Sequence, residues 1–289
     1  VTYNRKAVSI SEQISILESR NLIVNDKEFA ENILAEIGYF RFKGYCLPYY
    51  QDKDYFIEGT TIEVVYYNYR FDERFRMLLF QMIEHIEVAI KSKIGYHFAL
   101  EHDPLGFYKN ENFFNEKYHE SWLEDFNKAI SQASKRRELY TEHYIKHYSR
   151  TFPVWVALEM SSFGSVSKFY NNINRSLQNK ISKDVTGLNS VYLRNWLYVL
   201  SVVRNTCAHT SRMYDRVLPI KAKIEPKMND EISNERAFTA VYIAKKICVN
   251  DSYWMKFENN LAELLRIYSD YIDFEKIGFN ENWQETLNQ

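Results

Sequence analysis

Glycine and proline are scarce in this chain, 8 and 5 of 289 residues. So few breakers predict long regular elements joined by few tight turns. Cysteine is scarcer still. Cys46, Cys207 and Cys248 are far apart and odd in number, which makes neither a disulfide framework nor a zinc spacing and fits a reducing cytoplasm. No apolar run approaches the roughly 18 residues of a membrane span, and the opening VTYNRKAVS has none of the features of a secretory leader. Charge of either sign is not in excess: the net value is −1. No overall field therefore gathers nucleic acid, and any such binding must use local patches. The sequence contains no G-x-x-x-x-G-K-[ST] or G-x-G-x-x-G phosphate cradle and no G-x-S-x-G elbow. It offers no recognisable metal-ligand cluster either, so no cofactor is expected.

Apolar residues make up 46% and charged residues 26%, an ordinary globular balance with enough length for one large domain or two small ones. The 23 Tyr and 19 Phe serve either an aromatic core or stacking on unpaired bases.

Along the chain the dominant signal is helical. Ser9 and Glu12 form a capping-box pattern before Ile14 and Leu17. Asn25 or Asp26 caps a second helix through Phe29, Ile33, Leu34 and Ile37, and Gly38 stops it. Tyr39–Tyr50 is dense in aromatics, with Arg41 and Lys43 between them; it either holds RNA or clamps the N-terminal helices onto the body. From about Ile62 to Leu100 runs the longest stripe, including Phe71, Phe75, Leu79, Met82, Ile83, Ile86, Ile90 and Ile94. Glu84 and Glu87 sit one turn apart on it, a possible acid and base or simply a solvated face.

Phe113–Ala133 reads as helical. The cluster Lys135-Arg136-Arg137 after it is either solvated or an RNA contact. His143 and His147 have the i, i+4 spacing of a zinc pair, but no third ligand is near in sequence, so a mixed helix face is expected. Phe152-Pro153 opens a helix with Val154, Leu158, Phe163 and Phe169 on its buried side, Trp155 and Glu159 one turn apart, and Gly164 permitting a close helix approach. Asn171–Ser190 reads as a short helix plus loop. Asp215–Ile224 is extended or a loop. Asn234 and Asp251 cap two more helices, and the tail from Asp273 has weaker periodicity. The count is eight to ten helices with no confident strand, hence an all-α fold.

The segment the rest is organised around is Leu193–Tyr214. Leu193, Trp196, Leu197, Leu200 and Val203 recur at helical spacing, and then Arg204 arrives where the pattern predicts another apolar residue. Asn205 and His209 follow. A cation, an amide and an imidazole at the end of a core helix are costly to bury without a reason. On an ideal helix Arg204 and His209 are about 140° apart. The helix is therefore expected to end or bend near Cys207–Thr210, or the two side chains converge only across a dimer.

The Arg204–Asn205–x–x–x–His209 spacing resembles the R-x4-H motif of the HEPN superfamily, all-helical and mostly metal-independent ribonucleases. Leu22–Val24 through Gly38–Tyr45, Arg76 through Val88, and Pro153 through Gly164 resemble the Abi-like family of abortive-infection proteins over about residues 5–220. The resemblance implies a HEPN-type multi-helix bundle with extra N- and C-terminal helices, residues 1–60 packing on a body of 61–289. It implies a metal-independent endoribonuclease toxin acting in phage defence as a homodimer. Arg204, Asn205 and His209 would be catalytic, with Arg212 and Tyr214 beside them on RNA. Glu84, Glu87 or Glu159 would support Arg204. A small non-coding RNA antitoxin is a possible partner, and no membrane is. The other reading is a catalytically silent RNA-binding or scaffold protein with Arg204 as a core residue.

Overall fold

A computed structural model describes residues 6–228, 230–248 and 250–289. The opening residues of the leader reading lie partly outside them. The described chain is all-α, with thirteen helices and one two-stranded hairpin. They are α1 (Ile10–Glu18), α2 (Lys27–Ile37), α3 (Tyr39–Cys46), α4 (Ile62–His102), α5 (Glu116–Lys135), α6 (Leu139–His147), α7 (Val154–Met160), α8 (Phe163–Asn172), α9 (Arg175–Thr186), α10 (Ser190–Ala208), α11 (Ala237–Ile247), α12 (Asp251–Ile267) and α13 (Trp283–Leu287). The antiparallel hairpin pairs β1 (Tyr50–Asp52) with β2 (Tyr55–Phe56).

α4 is the axis. Thr61 caps its start by accepting from the Val64 amide, and its 41 residues extend about 60 Å. α3, α7, α9, α10, α11 and α12 all pack against it. Its stripe from Phe71 to Phe98 is shut from solvent, and each such side chain contributes about 1.5–3 kcal/mol on burial. Two clusters of buried side chains share this helix. One gathers residues from Ile14 to Tyr69, the other residues from Phe71 to Leu287. Among the described residues no helix is long and apolar enough to cross a membrane.

Several expectations are corrected. Tyr39–Tyr50 packs between α2 and α4, as the clamp reading expects, but the sequence reading gave it no helix: Gly38, at φ 76°, ends α2 and opens α3, and Phe42, Tyr45 and Cys46 then fall on one buried face. The aromatics around the rest of the turn hid that stripe in the sequence. The helix opened at Pro153 breaks at Ser161–Ser162, where Ser162 caps α8 afresh through the Ser165 amide. Arg236 rather than Asn234 precedes α11, and Asn250 rather than Asp251 caps α12. The tail is held by Ile277, Phe279, Trp283 and Leu287, all buried. The helix count exceeds the expected eight to ten because α3, the divided α7–α8 pair and α13 are short.

Gly164 is also corrected, since a Cβ there would meet open space. The close approach is at Gly95, where a Cβ would lie 3.3 Å from the Trp155 Cα across the α4–α7 contact. Gly95→Leu should force these helices apart and cost about 1–3 kcal/mol, read from the urea unfolding midpoint, while Gly164→Ala should not lower the midpoint. Equal midpoints for Gly95→Leu and the parent would refute the packing argument.

Candidate functional site

α10 carries its apolar residues into the core up to Cys207 and stops at Ala208. The stop has a specific geometry. The Ser211 amide donates to the Thr206 carbonyl at 3.0 Å and the Thr210 amide to the Cys207 carbonyl at 3.1 Å, the paired bonds of a Schellman end. Such an end needs a left-handed residue, ordinarily glycine, and here that residue is Thr210 at φ 53°. A β-branched side chain in that conformation is strained.

Two outside contacts hold the strained turn. Arg41 of α3 donates to the Thr210 carbonyl at 2.8 Å and to its hydroxyl at 3.1 Å. Three residues on, the chain is caught by Asp72 of α4. One oxygen of Asp72 accepts from the amides of Met213 at 3.0 Å and Tyr214 at 2.7 Å. The other accepts from the Tyr45 hydroxyl at 2.6 Å and Arg76 Nε at 3.1 Å. Asp72 is completely buried. Burial pushes its carboxyl up, while Tyr45, Arg76 and the two amides oppose that. Both oxygens only accept, the pattern of a carboxylate. Burial first, and then the Asp72 charge, raises the Tyr45 phenol. Cys207 nearby is buried, and its thiol is pushed up to about 12, an inert side chain.

On this frame His209 follows the last turn of α10, exposed, and its ring has no hydrogen-bond partner among the described residues. Arg204 is half-buried. Its guanidinium lies 5.4 Å over the Phe80 ring, and its Nε is 3.7 Å from Glu87. Glu87 is nearly buried and also takes Lys91 at 2.9 Å, and Lys91 reaches the Glu159 carbonyl at 3.3 Å. The Asn205 side chain is exposed and accepts from Arg204 at 3.5 Å; it is not bonded to His209 among the described residues.

The other sequence candidates separate. Glu87 is the acid beside Arg204. Glu84 and Glu159 are exposed and make no ion pair with Arg204 among the described residues. Tyr214 is corrected outright: it is buried, and its hydroxyl accepts from the Asp273 amide at 2.9 Å, because Asp72 pins its backbone and turns the ring inward. Arg212 does line a cavity with His209. Lys135, Arg136 and Arg137, at the end of α5, line neither that cavity nor its neighbour. The His143 and His147 rings lie 5.0 Å apart, tilted at 43°, yet among the described residues no group of three or more potential ligands gathers. Sequence reasoning missed Asp72, Arg76 and Tyr45. The signal available was an Asp and an Arg at i, i+4 inside an apolar stripe, positions where a hydrophobic residue would be expected.

Asp72→Ala strands Arg76, Tyr45 and two amides in the interior and should cost about 3–5 kcal/mol. Tyr45→Phe removes one bond to a charged group, about 1.5–3 kcal/mol. Guanidinium unfolding should rank the two in that order, and a parent-like midpoint for Asp72→Ala would exclude Asp72 from this role.

A family model described as Abi-like protein matches residues 32–215. No curated protein and no solved structure gives a significant match. The matched span runs from within α2 to the residue after Tyr214, and so contains Arg41, Tyr45, Asp72, Arg76 and the whole of α10 with its turn. The chain therefore belongs to the Abi-like family, which places it in abortive infection, a form of phage defence.

Proposed function

We propose that this protein is an endoribonuclease toxin of the HEPN type, acting in the cytoplasm without a metal ion. The observation that carries the reading is the exposed His209 ring at the end of α10, without a hydrogen-bond partner among the described residues and about one and a half turns from a half-buried Arg204. RNA brings its own nucleophile. Its 2′-oxygen attacks the adjacent phosphorus, the P–O5′ bond breaks, a base takes the 2′-hydroxyl proton and an acid protonates the leaving 5′-oxygen. Positive charge must meet the extra negative charge of the pentavalent phosphorus. Histidine titrates near neutrality and suits either proton transfer. Arginine stays charged and forks onto two phosphate oxygens. The products are a 2′,3′-cyclic phosphate and a 5′-hydroxyl.

Two proton transfers and a single histidine at the site of each chain call for a second copy. A homodimer with two Arg204–His209 pairs about a two-fold axis supplies the missing group. In this reading Glu87 orients Arg204, Asn205 contacts the phosphate, and the toxin's partners are its RNA substrate, its own second copy and a small RNA antitoxin. A silent RNA-binding role is favoured by one observation, the engagement of Arg204 with Glu87 and Phe80, which already gives that guanidinium a structural task.

The test is RNA cleavage in EDTA with the products' ends identified, parent beside His209→Ala. The parent should cut and leave cyclic phosphate. The variant should lose at least about a hundredfold in rate, as removal of a general acid–base does, and lose toxicity in cells while keeping its unfolding midpoint. A variant that cuts as fast as the parent sinks the reading, and RNA binding without cleavage by either protein leaves the silent binder.

A further inference from the structure

Two cavities flank the bond between Arg41 and Thr210, and both residues line each of them. The one on the Phe80 side encloses about 580 Å³ and includes Met77 and Cys207. The one on the His209 side encloses about 620 Å³, well inside the range of small-ligand pockets, about 300–1,000 Å³. Its other lining comes from α3, through Phe40, Arg41 and Lys43, and from Leu47 just after that helix. The cavity thus joins residues about 170 positions apart in sequence, brought together by the Arg41–Thr210 bonds.

Its chemistry is consistent. The cavity draws three cations and the imidazole of His209, and among the described residues no acidic one lines it. Lys43 shares its charge with Asp54 at 3.1 Å, and Arg20 shares the same carboxylate at 3.2 Å. Arg41 is committed to Thr210. Arg212 is not committed: its Nη1 is closed off from solvent and has no hydrogen-bond partner among the described residues. At the rim stands Phe40, 93% exposed, on the outer face of a helix whose inner face is packed. The face of that exposed ring, beside a cationic cavity, is open for an unpaired base to stack on. An anion in the cavity and a flat ring on Phe40 together describe one nucleotide.

We propose that this cavity is a nucleotide subsite for single-stranded RNA, in which the base stacks on Phe40 and the phosphate is taken by Arg212 with Lys43. The proposal rests on the ribonuclease reading only for the neighbouring scissile phosphate; binding itself does not require cleavage. The N-terminal helices then supply one wall of the RNA path, and Arg41 holds that wall against the turn bearing His209. Duplex RNA is excluded, because its bases are stacked on each other and cannot reach Phe40.

The experiment measures binding of a short unpaired RNA by fluorescence anisotropy, in full-length His209→Ala protein so that no cleavage intervenes. Adding Phe40→Ala should weaken binding about five- to a hundredfold, the effect of losing one base–aromatic stack, and Phe40→Trp should restore it. Adding Arg212→Gln should make the dependence of log affinity on log salt shallower by about 0.7, the loss of one phosphate contact. The same sequence as a duplex should show no dependence on Phe40. Phe40→Ala protein that binds the unpaired RNA as tightly as its parent overturns the subsite, as does a parent that binds no RNA. So does a Phe40→Ala change confined to oligomeric state in sedimentation, which would make the ring a protein contact. If Phe40-dependent binding is found but parent protein with His209 intact never cuts, the subsite stands and the ribonuclease reading fails.

Discussion

A single buried carboxylate ties this structure together. Asp72 sits inside the apolar stripe of the longest helix, where an ion is expensive, and gathers donors from three separate parts of the chain: Tyr45 from α3, Arg76 from its own helix, and the amides of Met213 and Tyr214 from the turn after α10. An unpaired carboxylate there would cost several kcal/mol. Paired in this way it favours the one arrangement in which all three parts meet. The N-terminal helices, the axis and the turn after α10 are therefore positioned by the same atoms.

That constraint explains why the end of α10 can be strained. Thr210 occupies a backbone conformation suited to glycine; Arg41 holds that residue itself and Asp72 holds the chain just after it. A flexible glycine would end the helix at less cost but would leave His209 and Arg212 free to wander. Strain carried by a fixed frame suits a site whose side chains must be presented to a ligand. It also joins α3 to that site, since Arg41 contacts the strained residue itself.

Legibility in the sequence varied by element, for physical reasons. The stripe of α4 was visible because burial repeats every three to four residues over many turns. α10 was visible for the same reason, and Arg204 stood out as a break in its pattern. α3 was obscured because aromatics surround it on all sides, so no periodicity separates Phe42 and Tyr45 from Phe40. Tyr214 was misjudged as an RNA contact because nearness in sequence to His209 says nothing about which way a side chain turns after a helix ends. Gly164 was read as the site of a close approach, but it is Gly95 that faces a neighbouring helix.

The sequence by itself determined the all-helical class, the long central helix, the family, and Arg204, Asn205 and His209 as the residues to follow, since each rests on local spacing along one chain. Only the tertiary structure decided that Glu87, not Glu84 or Glu159, lies beside Arg204, that Asp72 gathers the frame, and that Phe40 and Lys43 line one cavity with Arg212. Those are relations between residues far apart in sequence. Local patterning records which residues are buried, and packing alone records which of them meet.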